Sequence, residues 1–314
     1  MNRFIINASI FFSLTALPFV IYYATLLPYP AAPWISNSYS FNEASQYFKK
    51  RDKTQLSNLA IGSSMTLNNL NSRAVTKHLD RHTYLNISAW GLTIADVYIL
   101  LKGFLQEHNL KKVLIVSNYM DFAPQRIQYD PQKWIGYIQG GLNLYYQLKY
   151  LDLKKVKKYS LANRANYTSN AMYSSLQFDT YGGVPLATEN FTIIPQRWKK
   201  KASLDSIDTL TYNYLDSLST FLASKGVHLI FMQSPLREAS KGPDYSVRMV
   251  KHISVLENIL RSSGHTFIDG STLEMHDSLF VDYSHLNEKG ASIFTLFCME
   301  SYFSQKNKIN FQAP

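Results

Sequence analysis

The hydrophobic pattern changes rhythm along the chain, and each rhythm predicts a different element. Residues 4–27 (FIINASIFFSLTALPFVIYYATLL) are 24 positions without one charge. As a helix they measure about 36 Å, against a hydrocarbon core of about 30 Å. Residues 1–28 are therefore read as a single transmembrane anchor. The apolar stretch exceeds the roughly 7 to 15 residues of a cleavable signal, which favours its retention. Residues 29–56 lose the pattern, become rich in Pro, Ser and Asn, and read as a tether. Beyond them, short apolar runs that suit buried strands recur at 59–61, 83–87, 113–117, 227–233 and 266–268.

Helical spacing fills the gaps between these runs. Ile207, Leu210, Tyr214, Leu218, Phe221 and Leu222 form one such series, ending at Gly226 where a C-terminal capping glycine belongs. Val247, Val250, Ser254 and Ile259 form another, which stops at Gly264. Strands that alternate with helices predict an α/β fold: a parallel sheet covered on both faces, with its site beyond the carboxyl ends of the strands. Residues 57–314 are assigned to this domain. The stretch 123–201 interrupts the alternation with Tyr, Gln, Asn and Lys, with Trp134 and Trp198, and with the turn Asp179-Thr180-Tyr181-Gly182-Gly183. Its length exceeds an ordinary connection, so it is read as an insertion over the site, a lid or substrate lobe. Its aromatics suit stacking on sugar rings and, equally, a satellite packing cluster.

Charge adds orientation. Arg3 precedes the apolar span and the next Lys or Arg is Lys49. The amino terminus thus stays on the cytoplasmic side of an inner (plasma) membrane, with the body in the periplasm or outside. Thirty-two Lys and Arg against 22 Asp and Glu give 32 − 22 = +10, while 46% apolar and 17% charged residues exclude a disordered chain. The basic residues fall in separate clusters such as Lys49-Lys50-Arg51, Lys154 to Lys158 and Lys199-Lys200-Lys201, without a nucleic-acid-binding signature. A solvated surface near anionic lipid or polymer explains them more economically; the run 149–159 (KYLDLKKVKKY) is a helix face of this kind or a membrane contact. The single cysteine, Cys298, can supply neither an intramolecular disulfide nor a thiolate zinc cluster, and reads as a small buried hydrophobe. His78, His82, His108, His228, His252, His265 and His276 show no metal-ligand spacing and are read as surface or strand residues. No metal or cofactor is expected.

Two segments carry chemistry. In Leu59-Ala60-Ile61-Gly62-Ser63-Ser64-Met65-Thr66 an apolar strand ends in Gly-Ser-Ser before a helix. A serine at such a turn is held out of the sheet near backbone N–H groups that can stabilise an oxyanion. The plain alternative is a turn with a helix N-cap. In Val281-Asp282-Tyr283-Ser284-His285-Leu286-Asn287-Glu288-Lys289-Gly290, Asp and His stand three apart on one loop, with Asn287 as N-cap of the last helix. Such a carboxylate can orient the imidazole while the other ring nitrogen takes a proton from serine.

The order of these motifs resembles the SGNH (GDSL-like) hydrolase superfamily over most of residues 57–300. Gly62-Ser63-Ser64 matches the nucleophile block, with Ser63 where the family usually has Asp. Asn86-Ile87-Ser88-Ala89-Trp90-Gly91-Leu92-Thr93 resembles the block whose glycine N–H serves the oxyanion hole. Ser117-Asn118-Tyr119-Met120-Asp121 falls where the asparagine block belongs, without its usual Gly-x-Asn-Asp, and Asp282-Tyr283-Ser284-His285 matches the Asp-x-x-His block. The resemblance implies the flavodoxin-like three-layer fold with a five-stranded parallel sheet. It implies Ser64 as nucleophile, His285 as base, Asp282 as its orienting partner, and Ser64, Gly91 and Asn118 as oxyanion donors. Trp90 and Tyr119 become candidates for substrate contact.

An exported, membrane-anchored chain of this kind resembles the auxiliary acyl-transfer proteins of envelope polysaccharides, of the D-alanine transfer and alginate or cellulose acetylation types. That implies a glycan acceptor and an acyl donor supplied by a membrane-bound O-acyltransferase. The expectation is a serine acyltransferase or esterase acting through a Ser64 acyl-enzyme. Two alternatives stay open: an esterase that only hydrolyses, and a non-catalytic assembly subunit that keeps the fold.

Overall fold

All five apolar runs are strands of one sheet in a computed structural model that describes residues 2–26, 33–124, 127–140, 145–146, 149–150, 176–187, 195–201 and 207–311. They are β1 (Asn58–Ala60), β2 (Tyr84–Asn86), β3 (Lys112–Ser117), β4 (His228–Gln233) and β5 (Thr266–Asp269). All pairings are parallel and the spatial order is β2-β1-β3-β4-β5. Buried on both faces, these strands read as continuous apolar runs. Alternate residues serve opposite cores: Leu59, Val113, Ile115, Leu229 and Phe231 face one side, Ala60, Leu114, Val116, Ile230 and Met232 the other.

Helices α3 (Ser64–Asn69), α4 (Ser72–Val75) and α10 (Glu288–Phe311) cover one face. The other face carries α5 (Ile94–Phe104), α8 (Thr209–Ser224) and α9 (Tyr245–Ser262), with α2 (Tyr39–Lys49) and α6 (Pro131–Gln139) packed outside them. A four-residue helix, α7 (Pro195–Trp198), lies beside the loop of Asp282 and His285. The expected three-layer α/β fold is thus present. Its strand order reverses between β1 and β3, so the loops after these two strands diverge and leave a crevice, the usual place for a ligand in an open parallel sheet.

The structure revises several expectations. Helix α1 (Asn2–Leu26) is long and apolar enough over Arg3–Ile21 to cross a membrane, and none of that span is buried against the body. The tether expected over 29–56 is, from Trp34 onward, part of the packed domain. Ser38 caps α2 by accepting from the Phe41 N–H, and Trp34, Ile35, Phe41 and Phe48 are buried. The segment misleads because its helix (YSFNEASQYFK) is as polar as a linker.

Within the expected insertion 123–201, Trp134 is core: it is buried on α6, its indole N–H donating to Ser45 Oγ at 3.1 Å. Most of residues 141–175 and 188–194, with Lys154 to Lys158, lie outside the described residues. Helices α8 and α9 form where expected; α8 buries Leu218 and Leu222 of the expected series but not Leu210, whereas α9 turns another face inward. Leu210, Val247 and Val250 are exposed, and the buried rows are Leu215, Leu218 and Leu222 on α8, and Tyr245, Met249, His252, Leu256 and Leu260 on α9. His252 is accordingly a buried helix residue rather than a surface one. Burial lowers its pKa to about 4.

Candidate active site

The site is assembled at the carboxyl ends of the strands. After β1 the chain turns through Gly62, and Ser63 becomes the N-cap of α3, its hydroxyl accepting from Met65 N–H at 3.1 Å. Both readings of Gly-Ser-Ser therefore hold at once, on different residues: Ser63 is the cap, and Ser64 is the half-buried first residue of the helix. As the first helical residue, Ser64 has a backbone N–H without an intrahelical acceptor.

The Asp-His loop closes the other side. An antiparallel bridge between Phe280 and Leu286, together with a 2.8 Å bond from Val281 N–H to the His285 carbonyl, pinches residues 281–285 into a tight loop. Asn69, at the end of α3, pins it: its side-chain amide donates to the Ser284 carbonyl at 3.1 Å and to Ser234 Oγ at 2.9 Å, while its Oδ1 accepts from Leu286 N–H at 2.9 Å. The helix that begins at Ser64 thus holds the loop of His285 in place.

The three expected residues meet. Ser64 Oγ lies 2.9 Å from His285 Nε2, and His285 Nδ1 lies 3.0 Å and 3.1 Å from the two carboxylate oxygens of Asp282. Backbone N–H groups of Ser284 and His285 also donate to Asp282 Oδ1, at 2.9 Å and 2.8 Å. Asp282 accepts from every side, so Nδ1 donates to it, and in the neutral ring this leaves Nε2 as acceptor for the Ser64 hydroxyl. Burial pushes the Asp282 carboxyl upward, but the charge and hydrogen bond of His285, with the Arg197 guanidinium, outweigh it and hold the group well below the usual carboxylate range.

Arg197 was not foreseen. On α7, its guanidinium reaches Asp282 Oδ2 at 2.8 Å and comes within 3.5 Å of His285 Nδ1. Its neighbours fasten the segment: Arg237 donates to the Trp198 carbonyl at 2.8 Å and stacks 3.7 Å over the Trp198 ring.

The oxyanion candidates are placed as follows. Gly91 adopts φ +69°, a left-handed conformation that disfavours a side chain, and a Cβ there would meet open space. Asn118 follows β3; its Oδ1 accepts from Met120 N–H at 2.8 Å, and its side-chain NH2 lies 3.2 Å from the Met65 sulfur, next in sequence to Ser64. A thioether is a weak acceptor, so this donor is aimed but weakly engaged. Of the two substrate candidates, Trp90 is half-buried beside Leu67, Leu176 and Val184. Tyr119 is a correction: it is buried among Leu236, Tyr245 and Met249 and is a packing residue.

Asp121 was also missed as a site residue. Its buried Oδ2 accepts from Ser63 Oγ at 2.9 Å, from Ser117 Oγ at 3.0 Å and from Asn118 N–H at 3.3 Å. Burial pushes its carboxyl up to about 6, against these hydrogen bonds and the charge of His285. The spacing Asn118-x-x-Asp121 is a helix capping box, and that signal was available in the sequence. Among the described residues no cluster of His, Cys, Asp and Glu could hold a metal ion.

No family model matches the chain, and no curated protein matches it. Solved structures similar to it include a carbohydrate acetylesterase from Sinorhizobium meliloti, at 9% identity and TM-score 0.41, covering 80% of this chain and 99% of that one. An aryl esterase from M. smegmatis in its inhibitor-bound form gives 10% identity and TM-score 0.40, covering 79% and 99%.

Proposed function

We propose that this chain is a membrane-anchored, outward-facing serine enzyme that moves or removes an acyl group on an envelope polysaccharide. One observation carries the reading: the unbroken line from the Asp282 carboxylate through His285 to Ser64 Oγ, with both contacts of the ring at hydrogen-bond distance. Nucleophile, base and orienting carboxylate within such reach are what acyl transfer through a covalent intermediate requires.

Ser64 Oγ attacks the acyl carbonyl as its proton passes to His285 Nε2. Asp282 stabilises the imidazolium, and the negative oxygen of the tetrahedral intermediate is met by donors drawn from the Ser64 and Gly91 N–H groups and the Asn118 side-chain amide. Collapse expels the alkoxide of the donor ester, which takes the proton from His285 and leaves acyl-Ser64. An acceptor hydroxyl then attacks the acyl-enzyme, giving His285 its proton; a sugar hydroxyl makes the reaction a transfer, water a hydrolysis. The apolar α1, Arg3 on its amino-terminal side and the net charge of +10 support a membrane-side polyanionic or glycan substrate. An acyl donor delivered by a membrane-bound O-acyltransferase fits the same placement.

The test is labelling of the full-length detergent-solubilised chain with a fluorophosphonate, together with turnover of para-nitrophenyl acetate. Ser64→Ala is expected to abolish labelling and lower turnover by about 10³-fold or more, while leaving the urea unfolding midpoint close to wild type. A folded wild-type chain that neither labels nor turns over would overturn the reading in favour of a non-catalytic subunit.

A further inference from the structure

Ser64 sits inside a closed ring of hydrogen bonds in which it takes no part. Asp121 Oδ2 accepts from Ser63 Oγ at 2.9 Å; Ser63 Oγ accepts from Met65 N–H at 3.1 Å; the Met65 sulfur lies 3.2 Å from the Asn118 side-chain amide; and Asn118 N–H returns to Asp121 Oδ2 at 3.3 Å. The ring joins the turn after β1 to the turn after β3, the two loops that diverge at the reversal of strand order. Ser117 Oγ adds a third donor to the same carboxylate oxygen at 3.0 Å. Ser63, Met65, Ser117 and Asn118 are buried, and Asp121 is partly buried.

We propose that Asp121 is a positioning residue for the reaction: through Ser63 on one side and Asn118 on the other, its Oδ2 fixes the separation between the nucleophile Ser64 and the oxyanion donor Asn118. This rests on the functional reading above. Asp121 makes no hydrogen bond to Ser64 or His285, so it neither takes the serine proton nor orients the imidazole, which Asp282 already does. What it supplies is a single acceptor that collects donors from both loops, so that a shift of either loop by an ångström would break one of these bonds. A misplacement of that size costs on the order of 10²-fold in rate. The Ser63 hydroxyl is committed twice, as donor to Asp121 and acceptor from Met65, and so transmits the constraint directly into the backbone flanking Ser64.

The experiment compares Asp121→Ala, Asp121→Asn, Ser63→Ala and the double variant Ser63→Ala with Asp121→Ala, on full-length chain with para-nitrophenyl acetate. Asp121→Ala is expected to lower kcat by 10-fold to 100-fold while KM changes by less than 3-fold, since the bonds lost touch no substrate. Asp121→Asn presents an oxygen to the same donors and recovers most of that loss, and it remains informative should the alanine variant fold poorly. Because Asp121 acts through Ser63, the double variant is expected to lose little more than Asp121→Ala alone. Unchanged kcat in Asp121→Ala, or losses that multiply in the double variant, would overturn the proposal. Crystal structures of wild type and Asp121→Ala give an arm independent of turnover. The distance from Ser64 Oγ to His285 Nε2, or the distance between Ser64 and Asn118, is expected to grow by about 1 Å or more, and unchanged positions overturn the proposal. A wild type without Ser64-dependent turnover would defeat the functional reading alone, with the crystallographic arm still deciding the role of Asp121 in placing the two loops.

Discussion

Asp282 and Asp121 are both buried carboxyls at the same end of the sheet, yet their surroundings drive them in opposite directions. Around Asp282 a cation and an imidazole outweigh burial; around Asp121 the partners are hydroxyls and one N–H, and burial wins. The signs follow for stability. Asp282, depressed, contributes stability above the pH range of an ordinary carboxylate that is lost as pH falls through its lower folded value. Asp121, raised from 3.8 to about 6, contributes stability that is full below about pH 4 and is lost as pH rises through 6. A shift of 6 − 3.8, about two units, corresponds to about 3 kcal/mol. Urea midpoints of Asp121→Asn measured from pH 4.5 to pH 7.5 are therefore expected to lack most of a decline that wild type shows; an identical decline in both would mean that Asp121 is ionised throughout. At this scale the meeting of Ser64, His285 and Asp282 was legible because each sits at a strand end or before a helix, where sequence rules speak. Arg197 and the Ser63 contact of Asp121 were not, because they join residues 85 and 58 positions apart (282 − 197; 121 − 63), and only folding brings them together.

Single elements account for the tolerance of the scaffold to change. Asn69 closes α3 and makes three buried hydrogen bonds, two of them to the Asp-His loop and one to Ser234, so Asn69→Ala is expected to cost about 2 to 4 kcal/mol and to lower kcat, since His285 loses its anchorage. A variant that unfolds at the wild-type urea midpoint would contradict this. At the far end of α8, Gly226 sits at φ +66° with open space where a Cβ would stand, so Gly226→Ala isolates the backbone conformation and is expected to cost about 1 kcal/mol with no loss of turnover. The strands could be read from the sequence because residues buried on both faces leave an unbroken apolar signature. Helix faces could not be read as well: Val247 and Val250 are apolar and exposed, whereas the inward row of α9 includes His252. Periodicity located the helix, and packing against β5 and α8 chose its inner side. α2 escaped notice for the converse reason, a polar composition around two buried phenylalanines.

For the molecule as a whole, the boundary of the folded body lies near Pro33 rather than at residue 57. A chain starting at 33 is expected to fold and to turn over para-nitrophenyl acetate in solution. A chain starting at 57 would lose Trp34, Ile35, Phe41 and Phe48, a deficit on the order of 5 kcal/mol or more, and is expected to be insoluble or molten by near-ultraviolet circular dichroism. Native melting of the shorter chain would show that α2 is dispensable. A groove of about 740 Å³ lined by Arg73, Lys77 and Lys289, with Glu288, lies against α4 and the start of α10, and none of Ser64, Asp282 and His285 lines it. The early onset of packing further limits where the proposed reaction could take place. From Leu26 to Pro33 there are 33 − 26 = 7 steps of chain, which can stretch to at most about 25 Å. With α1 in a bilayer, the body is held on a short leash at the lipid surface. On the proposed reading, its targets would have to arrive within that thin layer, and the reaction would sample material as it emerges from the membrane rather than polymer already laid down farther out.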